Sequence, residues 1–101
     1  MTHYAAGATF ERKVRDKLYA DGAKLVVRSA GSKGPVDLVA FYGLDYGYRY
    51  RIDLVQVKRG RGMTKAKQAE LVELAESVGA RAVLAYPEKV GRRVEVRLEV
   101  L

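Results

Sequence analysis

The sequence predicts an α/β fold in which a central mixed five-stranded sheet is flanked by helices. Three observations predict it. Apolar residues recur at helical spacing over about 5–20 and 64–78. Five other stretches are short, rich in β-branched residues, and bounded by glycine, proline or charged turns. The elements follow one another as helix, three strands, helix, two strands, an order that implies a mixed sheet with helices packed on it. At 101 residues the chain is expected to be one domain, 1–101.

The first helix is expected over about 5–20, stopping at Asp21-Gly22. Phe10, Val14 and Leu18 form its core face. Glu11 falls within about 20° of Leu18 on the helical wheel, at the edge of that apolar face. A carboxylate there needs a partner. Leu25-Val26-Val27-Arg28-Ser29 reads as the first strand and 30–35 as a loop. The second strand covers 36–42 and carries one charge, Asp37; a turn follows over 43–47. The third strand covers about 48–58, and Arg59-Gly60-Arg61-Gly62 is a basic loop. Thr64 is the expected N-cap of the second helix and Gly79 its stop; Leu71, Leu74, Ala75 and Val78 make its apolar stripe. A fourth strand runs over 81–86, closed by Pro87. Over 93–100 Val94, Val96, Leu98 and Val100 alternate with charged residues, as in a half-exposed strand at a sheet edge.

Composition narrows the function. Cysteine is absent and the one histidine, His3, lies near the N-terminus, so thiolate and histidine-rich metal sites are excluded. Any metal must be held by oxygen. The formal charge of +7 reads as an electrostatic footprint for nucleic acid. No apolar run is long enough to span a bilayer and no signal-type leader is visible, so no membrane partner is expected. The expected location is the cytoplasm, or the host cytoplasm if the source is viral. Asparagine is absent and glutamine occurs only at positions 56 and 68 among many Arg, Lys and Glu, a composition that hints at a thermophile.

The chemistry gathers on the second and third strands. Asp37 opens an otherwise apolar strand; Gln56 and Lys58 end the next, two apart and therefore on one face, shared with Ile52 and Leu54. Burying such groups is costly unless an ion and a phosphate complete their bonding. Phosphodiester hydrolysis needs a cation to offset charge at phosphorus and an activated water. Mg²⁺, with Mn²⁺ as an alternative ion, prefers carboxylate, carbonyl and water oxygens. Asp37 offers the anionic ligand, Gln56 a neutral carbonyl oxygen, and the Val57 backbone carbonyl another. Lys58 can orient water or stabilise the phosphorane charge, and Glu11 could add a ligand directly or through water.

These residues sit within longer motifs: Gly7-Ala8-Thr9-Phe10-Glu11-Arg12, Val27-Arg28-Ser29-Ala30-Gly31-Ser32, Val36-Asp37-Leu38-Val39-Ala40 and Val55-Gln56-Val57-Lys58. Their order and spacing resemble the PD-(D/E)xK nuclease superfamily, and within it the archaeal-type Holliday junction resolvases. Arg-Ser-Ala-Gly-Ser followed closely by Val-Asp-Leu is the most specific part. The resemblance implies a restriction-endonuclease-like fold and a homodimer that cuts four-way or branched DNA by paired nicks. It implies Glu11, Asp37, Gln56 and Lys58 as catalytic positions, with Arg12, Arg28 and Ser32 tied to substrate binding or catalysis. The family usually has Glu where this chain has Gln56, which lowers the negative charge and should weaken metal affinity. Gly34-Pro35 lengthens the loop before Asp37, and the segment between the third strand and the second helix is short.

Taken alone, several of these residues have plainer readings. Glu11 would be a surface helix residue, Lys58 a solvated strand end, and Arg28 and Ser32 parts of a turn. Asp37 has apolar flanks that favour a ligand, while Gln56 depends on its neighbours. Ser29 at the end of the first strand, with Ser32 and Lys33 in the loop after it, suits backbone phosphates, and Arg59, Arg61, Lys65 and Lys67 form a candidate DNA-phosphate patch. A nuclease acting on duplex or damaged DNA, and a binding module without activity, are the alternatives.

Overall fold

The computed structural model describes residues 3–29, 34–45, 49–58 and 62–101. The elements are α1 (His3–Ala20), β1 (Ala23–Arg28), β2 (Leu38–Asp45), β3 (Arg49–Val57), α2 (Lys65–Ser77), β4 (Arg81–Val90) and β5 (Arg93–Val100). The five strands form one sheet in the order β1-β2-β3-β4-β5. Every neighbouring pair is antiparallel except β3 and β4, which are parallel. Parallel neighbours need a crossover, and α2 is that crossover.

Period-two alternation gives the sheet two buried faces. On one, Phe10, Val14 and Leu18 of α1 pack on Ala23, Leu38, Ala40, Val55, Val83 and Ala85. On the other, Leu71 and Ala75 of α2 pack with Met63 on Leu54, Ala82 and Leu84. β4 is therefore buried from both sides, which explains its unbroken Ala82-Val83-Leu84-Ala85 run.

The helix ends follow local chemistry. Asp21 N–H donates to Lys17 O, and Gly22 adopts a positive φ of 112°, turning the chain into β1. The Thr64 side chain accepts from Lys67 N–H, capping α2 as its sequence predicts. At the other end Gly79 takes φ 71°.

Several element boundaries differ from expectation. α1 begins at His3, two residues early. β1 begins at Ala23, with a register irregularity before Leu25. β2 begins after Asp37 and continues past Gly43 to Asp45, so the turn expected from Gly43 starts later; register shifts between Tyr42 and Asp45 accommodate this. β4 does not stop at Pro87 but reaches Val90, and Pro87 faces Val96 of β5. Ala85 O accepts from Lys58 N–H on the β3 side, and Pro87 presents its nitrogen to that same side. Since β3 ends at Val57, the missing N–H falls beyond the ladder. β4 and β5 then join through a two-residue turn in which Gly91 has φ 64°.

Among the described residues one charge is buried in this framework. Asp53 of β3 is 2% exposed. In the parallel register it lies beside Arg81, the first residue of β4. The Arg81 guanidinium grips it with two bonds, Nε to Oδ1 at 2.8 Å and a terminal nitrogen to Oδ2 at 3.0 Å. Arg51 approaches the same carboxylate at 3.7 Å while stacking on Tyr42, 3.7 Å from the ring centroid. The bond to Asp53 raises the Arg81 pKa above its ordinary value, against the opposing effect of burial.

Breaking this pair leaves a buried carboxylate with only the weaker Arg51 contact. Arg81→Met is expected to lower unfolding free energy by about 2 kcal/mol or more, measured by urea denaturation. A loss under about 0.5 kcal/mol, the range of an ordinary surface change, would contradict the role given to the pair.

Candidate active site

Asp37 lies at the point where three strands meet. Its backbone N–H donates to Val55 O at 2.8 Å, and its carbonyl accepts from Ser29 N–H at 2.8 Å. The residue is thus tied to the end of β1 and to β3, one position before the first paired residue of β2. Its carboxylate then takes over where the backbone ladder stops. Oδ2 accepts from Val57 N–H and from Gln56 Nε2, each at 2.8 Å.

Gln56 and Lys58 share the α2 face of the sheet with Ile52 and Leu54, as alternation requires. Asp37, Gln56 and Lys58 come together in a hollow of about 310 Å³ between the strand ends and α2. The three residues that the sequence puts on one face are thus brought together. Lys67 also lines the hollow, as do Met63, which is buried, and Glu70.

The hollow holds donors and acceptors in excess of their internal bonds. Gln56 gives its Nε2 to Asp37 and, at 3.5 Å, to the Val57 carbonyl. Among the described residues this leaves Oδ1 of Asp37 and Oε1 of Gln56 without a hydrogen-bond donor. The side chains of Lys58, Lys67 and Glu70 likewise have no ion pair or hydrogen bond among the described residues. Asp37, Gln56 and the Val57 carbonyl make a hard-oxygen donor set, which suits Mg²⁺ rather than a soft metal. Among the described residues no three His, Cys, Asp or Glu side chains gather at a metal-binding distance.

Glu11 stands elsewhere. Its carboxylate pairs with Arg28 Nε at 2.8 Å and is 24% exposed. The two residues line a second hollow of about 260 Å³ together with Arg12, Arg15, Val26 and Leu38. Leu38 and Asp37 are successive residues, so their side chains point to opposite faces of the sheet. Glu11 faces the Leu38 side and is not brought into the Asp37 hollow. Its expected neighbours in substrate binding, Arg12 and Arg28, are brought to it instead.

Ser29 is half-buried at the end of β1, and the bond from its N–H to Asp37 O joins the two segments. Lys65 is exposed in the first turn of α2 and does not line the Asp37 hollow. Ser32, Lys33, Arg59 and Arg61 lie outside the described residues. Sequence reasoning missed Glu70. The available signal was its position three residues after Lys67, a spacing that puts both on one side of α2.

No protein-family model matches the chain, and no curated protein matches it in sequence. Solved structures do match. Hjc, a Holliday junction resolvase from the archaeal hyperthermophile Archaeoglobus fulgidus, is similar over 94% of this chain and 72% of its own, with a TM-score of 0.64 and 27% identity. The resemblance to archaeal-type Holliday junction resolvases carried by the sequence motifs is borne out, and the architecture is the restriction-endonuclease-like α/β fold expected from it. No helix among the described residues is long and apolar enough to cross a membrane.

The Asp37 carboxylate has a structural task that can be measured without any substrate. Asp37→Ala leaves the half-buried Val57 N–H without an acceptor and should cost about 1–2 kcal/mol. Hydrogen exchange at the Val57 amide should accelerate selectively in this variant. An unchanged Val57 exchange rate would mean the carboxylate does not hold the end of β3.

Proposed function

We propose that this chain is a metal-dependent endodeoxyribonuclease that resolves four-way DNA junctions by paired nicks, acting as a homodimer. The observation that carries the reading is the convergence of Asp37, Gln56 and Lys58 in one polar hollow. The likeness to a Holliday junction resolvase supports the substrate class, and the +7 charge supports a polyanionic partner.

Oδ1 of Asp37, Oε1 of Gln56 and the Val57 carbonyl are the atoms that would hold Mg²⁺. When bound, the ion supplies charge compensation at the phosphate and lowers the pKa of a coordinated water. Asp37 is held for this by bonds to Oδ2 that leave Oδ1 without a hydrogen-bond donor among the described residues. The ammonium of Lys58, without a partner among the described residues, is available to orient the attacking water or to stabilise negative charge on phosphorus. Lys67 adds a second cation at the mouth, suited to a non-bridging phosphate oxygen. Arg12, Arg15 and Arg28 are grouped around Glu11 on the other face and offer contacts to the DNA backbone away from the scissile bond. In this arrangement Glu11 acts by holding Arg28. A two-fold dimer suits the substrate, because two equivalent sites can address symmetric strands of a junction.

The Gln56–Asp37 hydrogen bond favours one second reading: a module that binds junctions without cutting them, since an amide stands where a carboxylate would strengthen the site.

A labelled four-way junction and its matching linear duplex, each with and without Mg²⁺, separate these readings. Symmetric nicks on the junction alone, dependent on Mg²⁺, are expected. Asp37→Asn should cut at least about 100-fold more slowly while binding the junction as before. Tight binding with no cuts under any divalent ion would replace the nuclease with the binding module.

A further inference from the structure

The hollow contains a second carboxylate to which the reading above gives no role. Glu70 of α2 lines the same hollow as Asp37, Gln56 and Lys58. Resting on that reading, we propose that Glu70 completes the divalent-cation site, so that the cation is held between Asp37 on the sheet and Glu70 on the helix. Gln56 then adds a neutral oxygen and, through Nε2, positions Asp37.

Four observations lead there. First, Gln56 brings no charge, and its Nε2 is committed to Asp37 Oδ2 at 2.8 Å. Without Glu70 the hollow presents one carboxylate against two ammonium groups, Lys58 and Lys67. That balance repels a dication; a second carboxylate corrects it. Second, Glu70 makes no ion pair or hydrogen bond among the described residues, although both lysines line the same hollow. None of the described residues neutralises its charge.

Third, the helix that carries Glu70 is firmly placed. Thr64 caps it, Gln68 Nε2 donates to the Met63 carbonyl at 3.0 Å, and Leu71 and Ala75 are buried against the sheet. Those anchors fix the rotation of α2 about its axis, so Glu70 is presented on the flank of the buried stripe by rigid structure. Fourth, the donor set then matches the ion. Mg²⁺ is commonly bound through one or two carboxylates, with waters and substrate phosphate filling the remaining positions.

The site is thus assembled from both sides of the interface between the sheet and α2. A carboxylate carried on the helix does the work that a glutamate at position 56 would do from the strand.

Direct cation binding tests this without relying on cleavage. Mn²⁺ is titrated into the full chain and free Mn²⁺ is read by electron paramagnetic resonance. Five proteins are compared: wild type, Glu70→Gln, Asp37→Asn, the Glu73→Gln control, and the Glu70→Gln/Gln56→Glu double variant. Glu73 makes the same charge change one turn along α2, outside the hollow. Glu70→Gln is expected to weaken Mn²⁺ binding at least about 10-fold with an unchanged melting temperature. Glu73→Gln should bind as wild type, and the double variant should recover most of the loss.

Wild-type affinity in Glu70→Gln, with weakened binding in Asp37→Asn, would overturn the role of Glu70 and leave the nuclease reading standing. Equal losses in Glu70→Gln and Glu73→Gln would also overturn it, because the effect would be general charge. If the wild type binds no Mn²⁺ and cuts no junction, both readings fall.

Discussion

The two hydrogen bonds to Oδ2 of Asp37 are the constraint on which the site depends. They close the β2–β3 ladder where backbone pairing ends, and they set the neighbours of the candidate cation position. A carboxylate that only closed a strand could be replaced by any good acceptor. One that only held a metal could sit on a mobile loop. Here the same oxygen is saturated by Val57 N–H and Gln56, which fixes the side chain and leaves its other oxygen for chemistry. Rigidity of this kind is what a charged transition state exploits, since the groups need not reorganise as charge develops.

The sheet separates two tasks. On the α1 side lie the larger share of the core, the buried Asp53 with its Arg81 partner, and the arginines gathered around Glu11. On the α2 side lie the uncommitted oxygens and ammonium groups. Asp53 and Asp37 make the contrast clear. Asp53 is almost fully buried and its charge is answered by a bidentate arginine. Asp37 is half-buried and, among the described residues, is answered by neutral donors and faces lysines that have no partner. The first pattern satisfies a charge that the fold buries; the second leaves a charge ready for a ligand.

Much of this was legible in the sequence, and the failures have physical reasons. Asp37, Gln56 and Lys58 could be read because period-two geometry and apolar flanks are local properties. The edge position of β5 followed from its alternation, and the ends of α2 from Thr64 and Gly79. Glu11 was correctly placed at the flank of the apolar face of α1, but no local rule says which face of the sheet that flank meets. Asp53 and Arg81 are 28 residues apart and meet only through the parallel register that the α2 crossover creates. Pro87 looked like a stop because its missing N–H matters in a central strand, whereas here the adjacent strand has already ended. Glu70 was invisible for the same reason as Asp53: its relation to Asp37 exists only after α2 docks.

We place the proposed cation site between Asp37, Gln56 and α2. Paramagnetic broadening of amide resonances by substoichiometric Mn²⁺ locates such a site residue by residue. The signals of Asp37, Gln56, Val57 and Lys58 should broaden first, with those of Glu11 and of the β4–β5 turn at Gly91 retained. Early broadening around Glu11, or uniform broadening with no focus on the Asp37 hollow, would contradict the account.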